Sequence, residues 1–138
     1  MKKIIILFLF AGSIFLLHAC GNQSKSTEVV LVPPSVKQID QPAFEALVKK
    51  DHPVIVDVRT SAEIAEGIIP GATVFANVNE EAFDAEISKL DTTKSYIVYC
   101  RSGARSNKAA NIMISKGFKN VYNLAGGVLN WKGAMIKP

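Results

Sequence analysis

Cysteine, histidine and long apolar runs are all scarce in this chain, and each scarcity removes a class of function. There are two cysteines, Cys20 and Cys100, and two histidines, His18 and His52. That supply makes no metal-ligand set at a workable spacing, so neither a metal nor another cofactor is expected. The longest apolar or small-residue stretch, Ile4 to Leu17, runs 14 residues, short of the roughly 20 that a membrane-spanning helix needs. Basic runs and basic faces interleaved with aromatics are missing too. The net charge of +4 owes two units to Lys2 and Lys3, so no nucleic-acid partner is expected and any electrostatic role must be local. No internal repeat occurs, and low complexity is confined to the leader. A chain of 138 residues has room for one compact domain with a real core, and not for two.

What is present begins with that leader. Lys2 and Lys3 precede the apolar run in the manner of a signal peptide. Its end, Leu17-His18-Ala19-Cys20, resembles the lipobox of bacterial lipoproteins, in which a cysteine after a small residue receives a diacylglycerol and becomes the first mature residue. Leu17, Ala19 and Cys20 match that pattern, whereas His18 departs from it. Ordinary leader cleavage would want a small residue where Leu17 stands. The resemblance implies a signal peptide over 1–19, lipidation of Cys20, a tether over 20–34 and a domain over 35–138. That domain would lie outside the cytoplasm, lipid-anchored in the cell envelope on the periplasmic side or the cell surface. Gly21 to Thr27 is polar and reads as flexible tether, while Val29 to Val32 is apolar enough to add an edge segment to the domain. A lipidated Cys20 leaves Cys100 as the sole thiol, and a lone exported thiol points to reactivity.

From Ser35 onward, short apolar runs alternate with helical patterns. Strands are expected at Val36–Ile39, Val54–Val58, Ala72–Ala76, Ser95–Tyr99 and Val121–Leu124. Between them, Asp40 reads as the N-cap of a helix that carries Pro42 in its first turn and Phe44, Leu47 and Val48 on one face. Further helices are expected at Ser61–Glu66, Glu80–Leu90 and Ser106–Lys116, with a last short one around Trp131, itself read as core. This alternation implies an α/β fold with a parallel sheet covered on both faces, in which ligands bind beyond the carboxyl ends of strands.

Cys100 stands at one of those ends, opening Cys100-Arg101-Ser102-Gly103-Ala104-Arg105-Ser106. Loop amides and the dipole of the following helix favour an anion there and depress a thiol pKa. Arg101, Arg105 and Lys108 crowd the same helix start, where each cation is unfavourable by about 0.3–1 kcal/mol. A thiolate or a bound anion would offset that repulsion. The plain alternative is a small buried cysteine followed by a solvated basic turn.

Three segments in order resemble the rhodanese family of sulfurtransferases. They are Asp57-Val58-Arg59 with Glu63 and Gly67-Ile68-Ile69-Pro70-Gly71-Ala72; the Cys100–Ser106 loop; and Asn120-Val121-Tyr122 through Leu124-Ala125-Gly126-Gly127 to Trp131. Ile68 stands where that family commonly has histidine. The resemblance implies a rhodanese-like three-layer sandwich, a five-stranded parallel sheet with helices on both faces, and a monomeric domain. It implies that Cys100 is the nucleophile and takes sulfane sulfur from a small anionic donor such as thiosulfate, passing it to a thiol or cyanide acceptor. Arg101, Ser102, Gly103, Ala104 and Arg105 would bind the substrate and the persulfide. The Ser102 hydroxyl would donate to the sulfur, and Arg105 would either attract the donor or pin the loop through carbonyls. Asp57, Arg59 and Glu63 read as structural, with an Arg59–Glu63 pair and a buried Asp57 in need of a partner.

Two chemical rivals have specific weaknesses. A phosphatase of the Cys-x5-Arg type needs arginine at position 106, where this chain has Ser106. A Cys–His hydrolase needs His52 beside Cys100, but His52 precedes a strand and Cys100 follows one, placing them roughly 15 Å apart on opposite sheet edges. The alternative of another class is a module that carries persulfide or docks a partner without turnover.

Overall fold

The computed structural model describes residues 34–138. The expected signal peptide, the expected lipidation site Cys20 and the expected tether up to Pro33 lie outside the described residues. Among the described residues ten elements alternate: β1 (Lys37–Ile39), α1 (Gln41–Asp51), β2 (Val54–Asp57), α2 (Ser61–Glu66), β3 (Ala72–Phe75), α3 (Ala82–Ser88), β4 (Ser95–Tyr99), α4 (Ala104–Ser115), β5 (Asn120–Leu124) and α5 (Gly127–Asn130). The five strands form one sheet in the order β1-β5-β4-β2-β3, and every pairing is parallel. Parallel pairing requires crossovers, and the helices supply them.

Side chains of the central strand alternate between two apolar layers, as the period of two dictates. Tyr96, Val98 and Cys100 pack with Phe83 and Ile87 of α3 and Ala109, Ala110 and Met113 of α4. Ile97 and Tyr99 pack on the opposite face with Phe44 of α1, and with Leu47, Ile64 and Trp131 around them. The sheet is therefore covered on both sides, and β4 is buried along almost its whole length.

Local signals explain most boundaries. Asp40 accepts from the Ala43 amide at 3.0 Å and starts α1. His52, at φ 46°, ends that helix in the left-handed region before Pro53. Three helices differ from the sequence expectation. α3 is shorter because Asn77 and Glu80 close a turn before it, through Asn77 Nδ2 to Glu80 Oε1 at 2.8 Å and the Glu80 amide to the Asn77 carbonyl at 3.0 Å. α4 begins at Ala104 rather than Ser106, because Gly103 at φ 94° serves as its N-cap. Trp131 follows α5 instead of sitting within it, half-buried edge-on to Phe44 with ring centroids 5.1 Å apart.

Ile68 is buried at 4% exposure. Its backbone pairs with Ile136 in an antiparallel bridge, the two N–H···O bonds being 2.8 and 3.0 Å. The chain after α5 thus straps across the turn between α2 and β3, and Lys137 Nζ reaches the Ala65 carbonyl at 3.1 Å.

Candidate active site

The in-register pairing of β2 with β4 brings Asp57 level with Tyr99, and the Val58 amide donates to the Tyr99 carbonyl at 3.0 Å. The segments after β2 and after β4 therefore leave the carboxyl edge side by side. From the other flank, α5 closes on the loop: the Val128 amide donates to the Cys100 carbonyl and the Leu129 amide to the Arg101 carbonyl, both at 3.0 Å. Gly127 sits against this carbonyl pair, and a Cβ there would overlap the Cys100 carbonyl oxygen.

Cys100 itself is fully buried, with the loop folded around its sulfur. The Gly103 amide donates to Sγ at 3.1 Å, and the Ser106 hydroxyl at 3.4 Å. Burial pushes the thiol up, yet the Ser106 hydroxyl together with the amides of Ser106, Gly103 and Ser102 outweighs it, leaving the thiol below its ordinary value. The Gly103 carbonyl accepts from the Ser106 hydroxyl at 3.1 Å and from Asn123 Nδ2 at 3.3 Å. The hydroxyl donor to sulfur is thus Ser106 and not Ser102, whose residue lies exposed on the loop with Arg101 and Ala104.

The three polar residues of the preceding segments pair differently from the sequence expectation. Arg59 does not pair with the Glu63 carboxylate. It grips Asp57 with Nε at 2.9 Å and Nη2 at 2.6 Å, both residues being buried. The same guanidinium donates to the Gly67 carbonyl at 2.7 Å and the Glu63 carbonyl at 3.3 Å, and lies 5.5 Å from the centre of the Tyr99 ring. Asp57 thereby gains the partner its burial demands.

Glu63 turns instead to Arg105, 42 residues later, which grips it with Nη1 at 2.8 Å and Nη2 at 2.6 Å. Its carboxylate also accepts from the Thr60 amide and hydroxyl at 3.1 and 3.0 Å, completing a capping box at the start of α2. The Arg105 guanidinium first, and then the Thr60 donors, pull the Glu63 carboxyl down to about 2 against the opposing effect of burial. Arg105 is consequently pinned by a carboxylate rather than by carbonyls. Its charge is matched, and Arg101 is the exposed cation of the loop.

The residues from Asp40 onward carry the same organisation as known proteins. The family model for the rhodanese-like domain matches residues 40–134. The chain belongs to the rhodanese family. A sulfurtransferase of Allochromatium vinosum is 34% identical over 97 residues, covering 70% of this chain and 88% of that protein. A thiosulfate sulfurtransferase of Coxiella burnetii is 35% identical over 96 residues, covering 70% and 87%. Among solved structures, a rhodanese-like domain protein from Staphylococcus aureus superposes with a TM-score of 0.63 at 28% identity, over 75% of this chain and all of that one.

Within this rhodanese domain the structure gathers Cys100, Gly103, Arg105 and Glu63 into one constellation, with Asp57 and Arg59 supporting it from below. Position 106, where a Cys-x5-Arg phosphatase carries its arginine, holds the hydroxyl that donates to sulfur. His52 ends α1 ahead of β2, at the sheet edge opposite Cys100. Among the described residues, no group of three or more His, Cys, Asp or Glu side chains is placed to hold a metal ion. Sequence reasoning gave no site role to two residues that matter here. Ser106 entered as the end of the loop, as a helix start and as the residue that excludes a Cys-x5-Arg phosphatase, and Asn123 only as part of a strand, although its alternation inside β5 marks it as a buried polar group needing a partner.

Proposed function

We propose that this protein is a sulfurtransferase that carries sulfane sulfur as a persulfide on Cys100. The observation that bears the reading is the sulfur's setting: a buried thiol held below its ordinary pKa, receiving one amide at 3.1 Å and one hydroxyl at 3.4 Å. Donors fixed around a sulfur anion favour the thiolate, and afterwards the terminal persulfide anion, in the way an oxyanion hole favours its oxygen. The sulfurtransferase relatives support the same chemistry.

The first half-reaction, with thiosulfate as donor, has the Cys100 thiolate attack the outer sulfur. A new S–S bond forms at Cys100, the sulfur–sulfur bond of thiosulfate breaks, and its electron pair leaves with sulfite. A thiol or cyanide then removes the outer sulfur and restores the thiolate. This division into two covalent stages predicts ping-pong kinetics. Arg101, exposed and free of a carboxylate partner among the described residues, attracts the anionic donor. The lipobox resemblance at Leu17 to Cys20 supports the same reaction outside the cytoplasm at a membrane surface. On that reading Cys20→Ala shifts the protein from the membrane fraction to the soluble one.

Incubation with thiosulfate is expected to add one sulfur to Cys100 by mass spectrometry, and none to Cys100→Ser. Absence of the adduct in the wild-type protein, or its presence in the variant, overturns the proposal. Steady-state transfer to cyanide or a thiol then separates an enzyme from a persulfide-carrying module. Phosphomonoester hydrolysis in place of sulfur transfer would restore the phosphatase.

A further inference from the structure

One polar residue beside the Cys100 loop destabilises the strand that carries it. Asn123 stands within β5 at 3% exposure, and its Oδ1 is buried with no partner among the described residues. Asparagine suits a strand interior poorly, and a buried acceptor without a donor is unfavourable. What Asn123 supplies must therefore come from its nitrogen. Nδ2 donates to Gln38 Oε1 of β1 at 2.7 Å and to the Gly103 carbonyl at 3.3 Å. A carbonyl only accepts, so the nitrogen and not the oxygen faces Gly103. Gln38 is held in turn, its Nε2 donating to Asn107 Oδ1 at 2.8 Å.

The Gly103 carbonyl has more donors than it can serve. Its oxygen carries two lone pairs, and three donors reach it: the Asn107 amide at 3.0 Å, the Ser106 hydroxyl at 3.1 Å and Asn123 Nδ2 at 3.3 Å. The Asn107 amide is fixed by the first turn of α4. Asn123 Nδ2 is fixed from its other side by Gln38. Only the hydroxyl has an alternative acceptor, Cys100 Sγ at 3.4 Å.

We propose that Asn123 is a positioning residue for Cys100: by occupying the Gly103 carbonyl it releases the Ser106 hydroxyl to the sulfur. The proposal rests on the reading of Cys100 as the reactive thiol, and it assigns control of that thiol to a side chain that is not among its hydrogen-bond partners. With Asn123 in place, two fixed donors fill the carbonyl and the hydroxyl hydrogen is available for a charge-assisted bond to the thiolate. Without Asn123 the carbonyl keeps a lone pair for the hydroxyl and competes with the sulfur for it. The charged groups around the loop keep their arrangement in either case. Arg105 of α4 is paired with Glu63 of α2, Arg59 with Asp57, and Arg101 is exposed. No charged side chain lines the cleft between Gln38, Asn107 and Asn123.

Two measurements on the full chain test this, and neither needs sulfur transfer to occur. The first follows the ultraviolet absorbance of the Cys100 thiolate as pH rises, taken as the difference from Cys100→Ser. In Asn123→Leu the thiolate is expected to form at higher pH than in the wild type. Added to Ser106→Ala, Asn123→Leu is expected to cause no further displacement, because the hydroxyl it acts through is gone. A titration that coincides with the wild type, or one displaced equally in the Ser106→Ala background, overturns the proposal. The second measurement is NMR of the wild type, which decides the matter even if Asn123→Leu does not fold. The Asn123 side-chain hydrogen facing Gly103 is expected to move downfield as Cys100 ionises and the hydroxyl leaves the carbonyl. In Ser106→Ala the same signal is expected to stay in place as Cys100 ionises. A signal that ignores ionisation in the wild type, or follows it in both proteins, overturns the proposal. The thiosulfate adduct of the wild type bears on the sulfur-carrier reading alone, so failure of that reading is distinguishable from failure of this one.

Discussion

The hydroxyl of Ser106 has one hydrogen and two acceptors in reach, Cys100 Sγ at 3.4 Å and the Gly103 carbonyl at 3.1 Å. Charge on the sulfur decides between them, because a hydrogen bond to an ionised group is about twice as strong as a neutral one. When the hydroxyl turns to a thiolate, Asn123 Nδ2 still holds the Gly103 carbonyl, so the loop keeps its shape as the sulfur changes state. Ser106→Ala removes the switching donor and leaves the rest in place. Hydrogen bonds to charged groups contribute about 1.5–3 kcal/mol, and losing the one from Ser106 raises the thiol pKa. The thiolate is the attacking form, so persulfide loading in the variant should require correspondingly higher pH. Initial loading rates across a pH series measure this, and a rising limb that stays where the wild type has it would refute the role given to Ser106.

Between elements, the Glu63–Arg105 pair fastens the start of α2 to the start of α4 and hence to the Cys100 loop. Because Arg105 and Thr60 hold the Glu63 carboxyl at about 2, below its unfolded value, this stabilisation is fully present above about pH 4.5 and is lost as pH falls through about 2. The pair is part-exposed, its side chains at 26% and 23%, so solvent screening limits the contribution to about 1–2 kcal/mol. Urea unfolding of wild type and Glu63→Gln should differ by that amount at neutral pH and converge as Glu63 protonates. A gap that persists unchanged into acid would show that the carboxylate charge is irrelevant. Why the sequence concealed this pair is physical. Arg59 and Glu63 are four apart, but α2 starts only at Ser61, so Arg59 precedes the helix and the helical spacing rule does not reach it. The true partner of Glu63 arrives from another strand's loop, a non-local pairing that leaves no local pattern. The hydroxyl that reaches the sulfur is that of Ser106 and not of Ser102 for a related reason. Starting α4 at Ala104 places Ser106 in the buried first turn, whereas Ser102 stays outside.

At the scale of the whole described domain, long-range closures hold the site, α5 on the Cys100 loop and the segment after it on Ile68. The strands themselves were legible, Ser95–Tyr99 to the residue, because β-branched and aromatic runs buried on both faces leave few alternatives. The antiparallel bridge from Ile68 to Ile136 was not, since it is made by backbone groups that any sequence could supply. The same holds for α5, whose four residues contribute their amides more than their side chains. Gly127, at φ 53°, lets this turn approach the Cys100 and Arg101 carbonyls so closely that no Cβ fits. Gly127→Ala therefore combines two penalties, about 1–2 kcal/mol for a left-handed non-glycine residue and a displacement of α5 away from the loop. Gly117, at φ 93° with nothing near its missing Cβ, provides the comparison with strain alone. Gly117→Ala should lose stability by the strain term and load sulfur normally. Gly127→Ala should lose more stability and load at least about tenfold more slowly, because the Val128 and Leu129 amides no longer hold the loop carbonyls in place. Denaturation midpoints and thiosulfate loading rates of the two variants decide the matter. If they behave alike, the closing turn is a spacer and the Cys100 loop holds its geometry without it.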